Sequence, residues 1–266
     1  MSSSEYILNI KSVSSASIKT LFEVIKEILV KNINIVFTKD SMKVIEIDGT
    51  DKALVYLILK STAFQVYHCE GEVITGVNAG NIFKIIKMVT NNDTVSFCIR
   101  KDNPGYLVIR LENSEKNKVL ESEIELLNKK YVHHKIPDKE FQTEIILSSI
   151  ELQSICKNLN SLGDIPIIEI KSTNDQLIFN HKGSFSDQKI IYQRTHDETL
   201  EDPYEEEIIQ GFFNLKFILL FTKATKLSNN VKLYLANDYA LVLDYSIGDS
   251  GNLRFILAPE SSDSET

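Results

Sequence analysis

The chain has 266 residues, 43% of them hydrophobic, and a net charge of -8 at pH 7, which excludes nucleic-acid binding through an evenly charged surface. Any role on DNA therefore requires positive charge that is gathered on one face. The composition is that of a globular protein with full apolar cores. Apolar runs fall short of the roughly 18 residues of a membrane helix, and the N-terminal segment lacks a signal-peptide pattern, so we expect an intracellular protein without a membrane.

Helical patterns occur in two matched pairs. Apolar residues recur at three- and four-residue steps in residues 16–29, and the pattern returns about 134 residues later in residues 149–162. A second pair, residues 79–89 and 214–224, has nearly the same separation. Each helix of the second pair precedes a turn-rich break and a predicted strand hairpin.

Strand patterns surround both helix pairs in the same order. They are predicted at residues 6–10, 33–37, 42–47, 54–59, 65–69, 95–99 and 106–111, and then at 141–147, 167–170, 176–180, 189–193, 231–235 and 239–245. So many elements repeating at one interval indicate an internal duplication and an α+β fold of two α/β domains. We predict domains at 1–126 and 141–266, joined by a linker at 127–140 that contains Ile136 and Pro137.

Candidate catalytic and metal-binding groups are few. The sequence EIDGT at residues 46–50 is similar to the nucleophile loop of haloacid-dehalogenase-type phosphatases, with Asp48 as an alternative active-site residue, but a turn between two strands explains it more simply. His133 and His134 are adjacent, so their side chains diverge, and the three cysteines, Cys69, Cys98 and Cys156, lie too far apart for a metal knuckle or a disulfide framework. We expect no enzyme, cofactor or metal, and buried free thiols.

Lysines mark the polar sides of all four predicted helices. A lysine there is most often a solvated residue, but the duplication raises the alternative that all four helices line one positive surface. Such a surface suits salt-dependent, sequence-independent contact with DNA phosphates. The lysines concerned are Lys19, Lys26, Lys84, Lys87, Lys157, Lys216 and Lys223.

Several ordered motifs resemble one family. FTKATKLSNN at residues 221–230, LRFILAP at 253–259 and SICKNLNSLGD at 154–164 are similar to the proliferating cell nuclear antigen family, the eukaryotic and archaeal sliding clamps. The helix near residues 78–87, the strand at 54–59 and the Ile136-Pro137 linker fall in the family's order, so the resemblance covers essentially the whole chain.

The resemblance implies a DNA sliding clamp, a polymerase processivity factor that encircles double-stranded DNA as a homotrimeric ring. Helices would line the channel with the seven lysines, and uncharged Thr20, Ser154 and Ser161 would stand where the family often has basic residues. It also implies a nuclear location, or a cytoplasmic viral replication site for a virus-encoded clamp. A clamp-like checkpoint or accessory subunit of a heteromeric ring is the alternative.

Family members bind DNA polymerase, the clamp loader and repair factors through a short motif that inserts apolar anchors beneath the interdomain linker. His134, Ala240 and Ile256 stand where the family commonly has leucine, proline and tyrosine. Carried over by position, the partner-binding pocket consists of Ile47, His134, Ile136, Ala240, Ile256, Ala258 and Pro259.

The family also joins its subunits through sheet edges, which the resemblance places near residues 119–126 of one chain and 176–183 of the next. Lys171 matches a loop in which family members can carry a modifiable lysine.

Overall fold

The structure is a computed structural model that describes residues 5–90, 92–134, 140–162, 165–183, 186–193 and 208–261. The helices are α1 (Ser15–Ile28), α2 (Ala79–Ile86), α3 (Ser149–Leu162) and α4 (Leu215–Phe221). The strands are β1 (Tyr6–Ser12), β2 (Asn32–Phe37), β3 (Ser41–Ile47), β4 (Ala53–Lys60), β5 (Val66–Cys69), β6 (Val73–Asn78), β7 (Asp93–Arg100), β8 (Tyr106–Asn113), β9 (Lys118–Glu125), β10 (Thr143–Ser148), β11 (Ile167–Ser172), β12 (Gln176–His181), β13 (Gln188–Gln193), β14 (Ile209–Asn214), β15 (Asn230–Leu235), β16 (Leu241–Ser246) and β17 (Gly251–Leu257).

The first compact unit comprises residues 1–136, 226–228 and 245–254. It contains an antiparallel sheet in the order β5-β1-β7-β8-β9 and the strands β4-β3-β2-β6. Helices α1 and α2 pack against each other, and Phe22 of α1 contacts Phe97 of β7 with ring centroids 5.9 Å apart. The apolar stripe of α1 therefore closes the core of this unit.

The second compact unit comprises residues 137–225, 229–244 and 255–266. Its strands follow the same plan, with a sheet in the order β13-β12-β11-β14 and a second set that begins β10-β15-β16. Helix α3 packs on α4, and the rings of Phe221 and Phe255 stack with centroids 4.5 Å apart. The repeated plan confirms the duplicated α+β fold.

An asparagine begins the shorter helix in each unit. The side chain of Asn78 accepts a hydrogen bond from the N–H of Asn81 at 3.0 Å, and that of Asn214 accepts one from the N–H of Lys216 at 3.1 Å. Asparagine is a preferred N-cap because it satisfies N–H groups that lack a partner within the helix. The same capping residue at matched positions adds a local signature of the duplication.

Four strands differ from the sequence prediction. β6, β9, β14 and β17 form, although periodicity alone predicted none of them. Glycines interrupt the apolar alternation of two of these strands, at Gly76 in β6 and at Gly211 in β14. Helix α4 also ends earlier than predicted and continues as a 3-10 helix, Thr222–Lys226. The predicted domain bounds stay predictions.

Candidate nucleic-acid interface

The two lysines of α1 contact α2 or the segment that follows it. Lys26 pairs with Glu27 at 2.7 Å, and its Nζ lies 4.7 Å from the centroid of the Phe83 ring. Lys19 donates from Nζ to the carbonyl of Val89 at 3.3 Å. Both side chains are half-buried, so part of their charge is already engaged within the unit.

Lys84 and Lys87 form the more open part of this surface. Both are exposed, Lys84 within α2 and Lys87 at its C-terminal cap. The ammonium group of Lys84 donates a long 3.4 Å hydrogen bond to the side-chain oxygen of Asn81. Exposed ammonium groups one turn apart can each contact a different phosphate of a DNA strand.

The lysines of the second unit are exposed on α3, on α4 and on the 3-10 helix that follows it. Lys157 donates to Gln153 Oε1 at 3.0 Å, and Gln153 Nε2 donates to the carbonyl of Thr222 at 2.9 Å. This chain of bonds joins α3 to the helix that carries Lys223. Lys216 is exposed beside the Asn214 cap.

Two further observations refine the predicted basic surface. Lys226, which is not among the lysines predicted from helical spacing, is exposed on the same 3-10 helix as Lys223. The FTKATK repeat of lysines at three-residue steps was a signal for it. Ser154 and Ser161 are exposed on α3, so this helix contributes a single lysine to the set.

The predicted partner-pocket residues have separate places in their units. In the first unit, Ile47 ends β3 with 37% exposure and His134 is half-exposed. In the second, Ala240 precedes β16, and Ile256 lies in β17, which Ala258 and Pro259 follow. The predicted residue Ile136 lies outside the described residues. The pocket as a whole stays a prediction.

The carboxylate of Asp48 organises a turn. It accepts hydrogen bonds from the N–H groups of Thr50, Lys52 and Ala53 and from the hydroxyl of Thr50, all at 2.5 to 2.8 Å. Burial raises the pKa of Asp48, but these hydrogen bonds outweigh burial and hold its pKa below the ordinary value. Both oxygens are occupied, which favours the turn interpretation over an active-site role in a phosphatase.

The cysteines are free thiols, as predicted. Cys69 and Cys156 are buried, whereas Cys98 is half-buried, and burial raises the pKa of Cys156 to about 12 and that of Cys98 to about 11. These thiols stay protonated at neutral pH and are poor nucleophiles.

His133 packs edge-on against Tyr131 with ring centroids 4.5 Å apart. None of the helices in the described ranges combines the length and hydropathy that crossing a bilayer requires.

The strand pairing corrects two predictions, one on a sheet edge and one on the position of Lys171. Strand β12 (Gln176–His181), predicted as an edge, pairs with β11 on one side and β13 on the other, so β13 and β14 are the two edge strands of this sheet among the described residues. Among the described residues, strand β9 is at one edge of the sheet β5-β1-β7-β8-β9, as predicted. Lys171 lies inside β11, opposite Ile178 and Gln210, and the predicted loop placement is wrong.

Comparisons with known proteins match both halves of the chain to one family. The family model described as "Proliferating cell nuclear antigen, N-terminal domain" matches residues 7–133, and that for the C-terminal domain of the same antigen matches residues 135–260. A "Probable DNA polymerase sliding clamp 1" of Paramecium bursaria Chlorella virus 1 is 29% identical over 97% of this chain and 99% of that protein.

A proliferating cell nuclear antigen of Chaetomium thermophilum is also 29% identical, over 93% of this chain and 96% of that protein. Among solved structures, the proliferating cellular nuclear antigen of Entamoeba histolytica superposes with a TM-score of 0.85 at 23% identity, covering 96% of this chain and all of that one. The solved structure supports the fold, and the two family models cover both halves.

Proposed function

Because the chain belongs to the proliferating cell nuclear antigen family, we propose that it is a DNA sliding clamp that encircles duplex DNA and keeps polymerases on their template. The observation that carries this proposal is the match of consecutive family domains to two halves that repeat one order of elements. A clamp acts by topology and positioning, so its role calls for no catalytic step, cofactor or metal. Its place of action is the site of replication, in a nucleus or at a viral replication site.

The lysine-bearing helices are the proposed DNA-facing surface. Exposed ammonium groups on α2, α3 and α4 supply positive charge on a protein whose net charge is -8. They present charge without the paired donors and acceptors that base reading needs, which suits a ring that must move along any sequence. Long side chains also let phosphates exchange between neighbouring lysines.

A homotrimer is the proposed assembly. Strands β9 and β13 are edge strands of their sheets among the described residues, and an unprotected edge invites pairing with another chain. Head-to-tail pairing of β9 with β13 of the next copy would cover both edges and close a ring. β9 exposes Glu121, Glu123 and Glu125, of which Glu121 and Glu123 already pair with Arg100 of the same sheet, and β13 exposes Lys189.

Partner proteins are proposed to dock apolar anchors at the pocket predicted from Ile47, His134 and Ile256 and its neighbours. Polymerase, clamp loader and repair factors are the expected classes. Histidine at 134 and isoleucine at 256 alter the shape and polarity that the family commonly presents, so we expect a motif preference that differs in its aromatic anchors.

Two measurements test the function. Native mass spectrometry at micromolar concentration gives the assembly, for which we expect three chains. Primer extension on long templates gives the activity. On templates with free ends we expect longer products when the clamp is added. On templates whose ends are blocked, so that a ring cannot thread onto them, we expect the product length to stay the same. A monomer that assembles only with a related chain would instead support the heteromeric ring.

A further inference from the structure

The first unit fixes the beginning of the predicted linker to its own strands. The docked segment consists of residues 127–130. Leu127 donates its N–H to the carbonyl of Gly76 at 2.8 Å and forms an antiparallel bridge to that residue of β6. A Cβ at Gly76 would lie closer than 3.0 Å to the Leu127 carbonyl oxygen, so glycine is what permits this close approach.

A buried carboxylate provides the second attachment. Glu46 is 8% exposed, and its Oε1 pairs with the ammonium group of Lys129. The same oxygen accepts the N–H of Asn34 at 2.7 Å. Lys129 is therefore tied to a carboxylate that β2 already holds in place.

The local strand pairing explains why the Glu46 side chain accepts the N–H of Asn34. Strands β2 and β3 pair Val36 with Lys43 and Phe37 with Met42. At Asn34, further along β2, the Glu46 carboxylate takes the N–H that a neighbouring strand would otherwise accept. The negative charge of the buried Glu46 carboxylate is balanced by the ammonium group of Lys129, which lies in the docked segment.

A third contact continues along the segment. Asn34 donates from Nδ2 to the carbonyl of Lys130 at 3.5 Å, a long hydrogen bond. The ends and the middle of residues 127–130 are thus each joined to β2, β3 or β6. These contacts favour one ordered conformation of the segment.

We propose that the Glu46–Lys129 ion pair is a positioning device for partner binding, which holds residues 127–130 so that an incoming peptide with apolar anchors meets a preformed surface at the start of the linker. The inference rests on the proposed function. Ordering a loose segment during binding would consume part of the interaction energy, whereas a segment that is already ordered does not. Glu46 and Lys129 act through the segment and do not touch the partner.

The experiment compares four full-length variants. Lys129→Met removes the charge, Lys129→Arg keeps it, and Lys130→Met makes the same change at the next residue, whose contact to Asn34 uses only its backbone. Glu46→Gln is a second test, because it removes the charge but keeps an acceptor for the N–H of Asn34. Hydrogen exchange reports on the segment, and a clamp titration of a replicative DNA polymerase on linear primed DNA reports on partner binding.

For Lys129→Met and Glu46→Gln we expect the amide of Leu127 to exchange about tenfold faster and the half-saturating clamp concentration to rise about tenfold, because the segment is no longer pre-ordered. The maximal synthesis rate should stay unchanged, since a saturated polymerase has its partner in place. Lys129→Arg and Lys130→Met should match the unsubstituted chain in both measurements.

Three results would overturn the inference. Unchanged exchange in both charge-removing variants would show that the ion pair does not hold the segment. Faster exchange with an unchanged half-saturating concentration would show that partners do not depend on it. If Lys129→Met fails to fold, Glu46→Gln decides. Failure of the unsubstituted chain to stimulate any synthesis would refute the proposed function itself, and the positioning role with it.

Discussion

The Nζ atom of Lys26 on α1 lies 4.7 Å from the centroid of the Phe83 ring on α2. A cation over an aromatic face gains attraction that it would lose on turning outwards to a phosphate. Lys26 also pairs with Glu27, so this lysine contributes to helix packing as well as to surface charge. The predicted channel lysines therefore differ in how far their charge is available to DNA phosphates.

The first prediction follows from that inequality. Replacing Lys84 and Lys87 with glutamine should lower clamp-dependent synthesis and its sensitivity to salt, with a change of about one in the log–log salt slope for each phosphate that the clamp no longer binds. The matched pair is Lys19→Gln with Lys26→Gln, which should affect DNA less and thermal stability more. Salt titrations of primer extension and melting curves separate the two effects. Equal salt slopes in both double variants would contradict this ranking.

The second prediction concerns Gly76. Gly76→Ala places a Cβ against the backbone of Leu127, and since backbone cannot rotate away as a side chain does, unfolding free energy should fall by about 1–3 kcal/mol. Gly105→Ala is the control, because a Cβ there meets nothing within 4 Å. It should change stability by no more than about 1 kcal/mol. Urea unfolding of both variants measures the difference, and equal midpoints would refute the close approach of Leu127 as the reason for glycine.

Sequence patterns predicted the helices well because each buries one apolar stripe, and this period is visible without tertiary information. Helix α3 has the predicted bounds, residues 149–162. Strand β6 was not predicted, since Gly76 is selected by the approach of Leu127, a residue about 50 positions away in the chain. Long-range approaches of this kind leave no local period in the sequence.

The candidate site shows the same division. Helical spacing placed the lysines on helices or at their ends, but whether each ammonium group is free for DNA depends on neighbours such as Phe83 and Val89 from outside α1. The Glu46–Lys129 pair joins residues on β3 and the predicted linker. In the sequence, residue 46 is visible only as the start of a turn motif.

The third prediction concerns acid stability. The pKa of Asp48 is lower in the folded chain than its ordinary value of 3.8, so the folded state binds fewer protons at this site than the unfolded state. The stability that this carboxylate contributes is complete above that ordinary value and is lost as pH falls through the lower folded-state pKa. Unfolding free energy should therefore decrease at acid pH.

Asp48→Asn tests the origin of that decrease. The amide can replace only one of the two acceptor oxygens, so the variant should be less stable by about 1–3 kcal/mol at neutral pH and should show a flatter acid limb. Asp51→Asn is the control, because Asp51 is exposed at a positive φ of 60°, which asparagine also adopts. Unfolding curves between neutral and acid pH measure both. An unchanged acid limb in Asp48→Asn would refute the assignment.

The last prediction tests the subunit contact. Ile191 is 45% exposed on β13, the strand that we propose pairs with β9 of another copy. Ile191→Asp should convert trimers to monomers at micromolar concentration, because it removes apolar contact area and places a charge at the proposed joining edge. Ile146→Asp is the matched control, since Ile146 is 60% exposed on β10, an edge strand with no proposed partner. Sedimentation velocity gives the assembly of each variant, and circular dichroism checks that both fold. A trimer that survives Ile191→Asp, or one that Ile146→Asp disrupts equally, would exclude β13 as the joining edge.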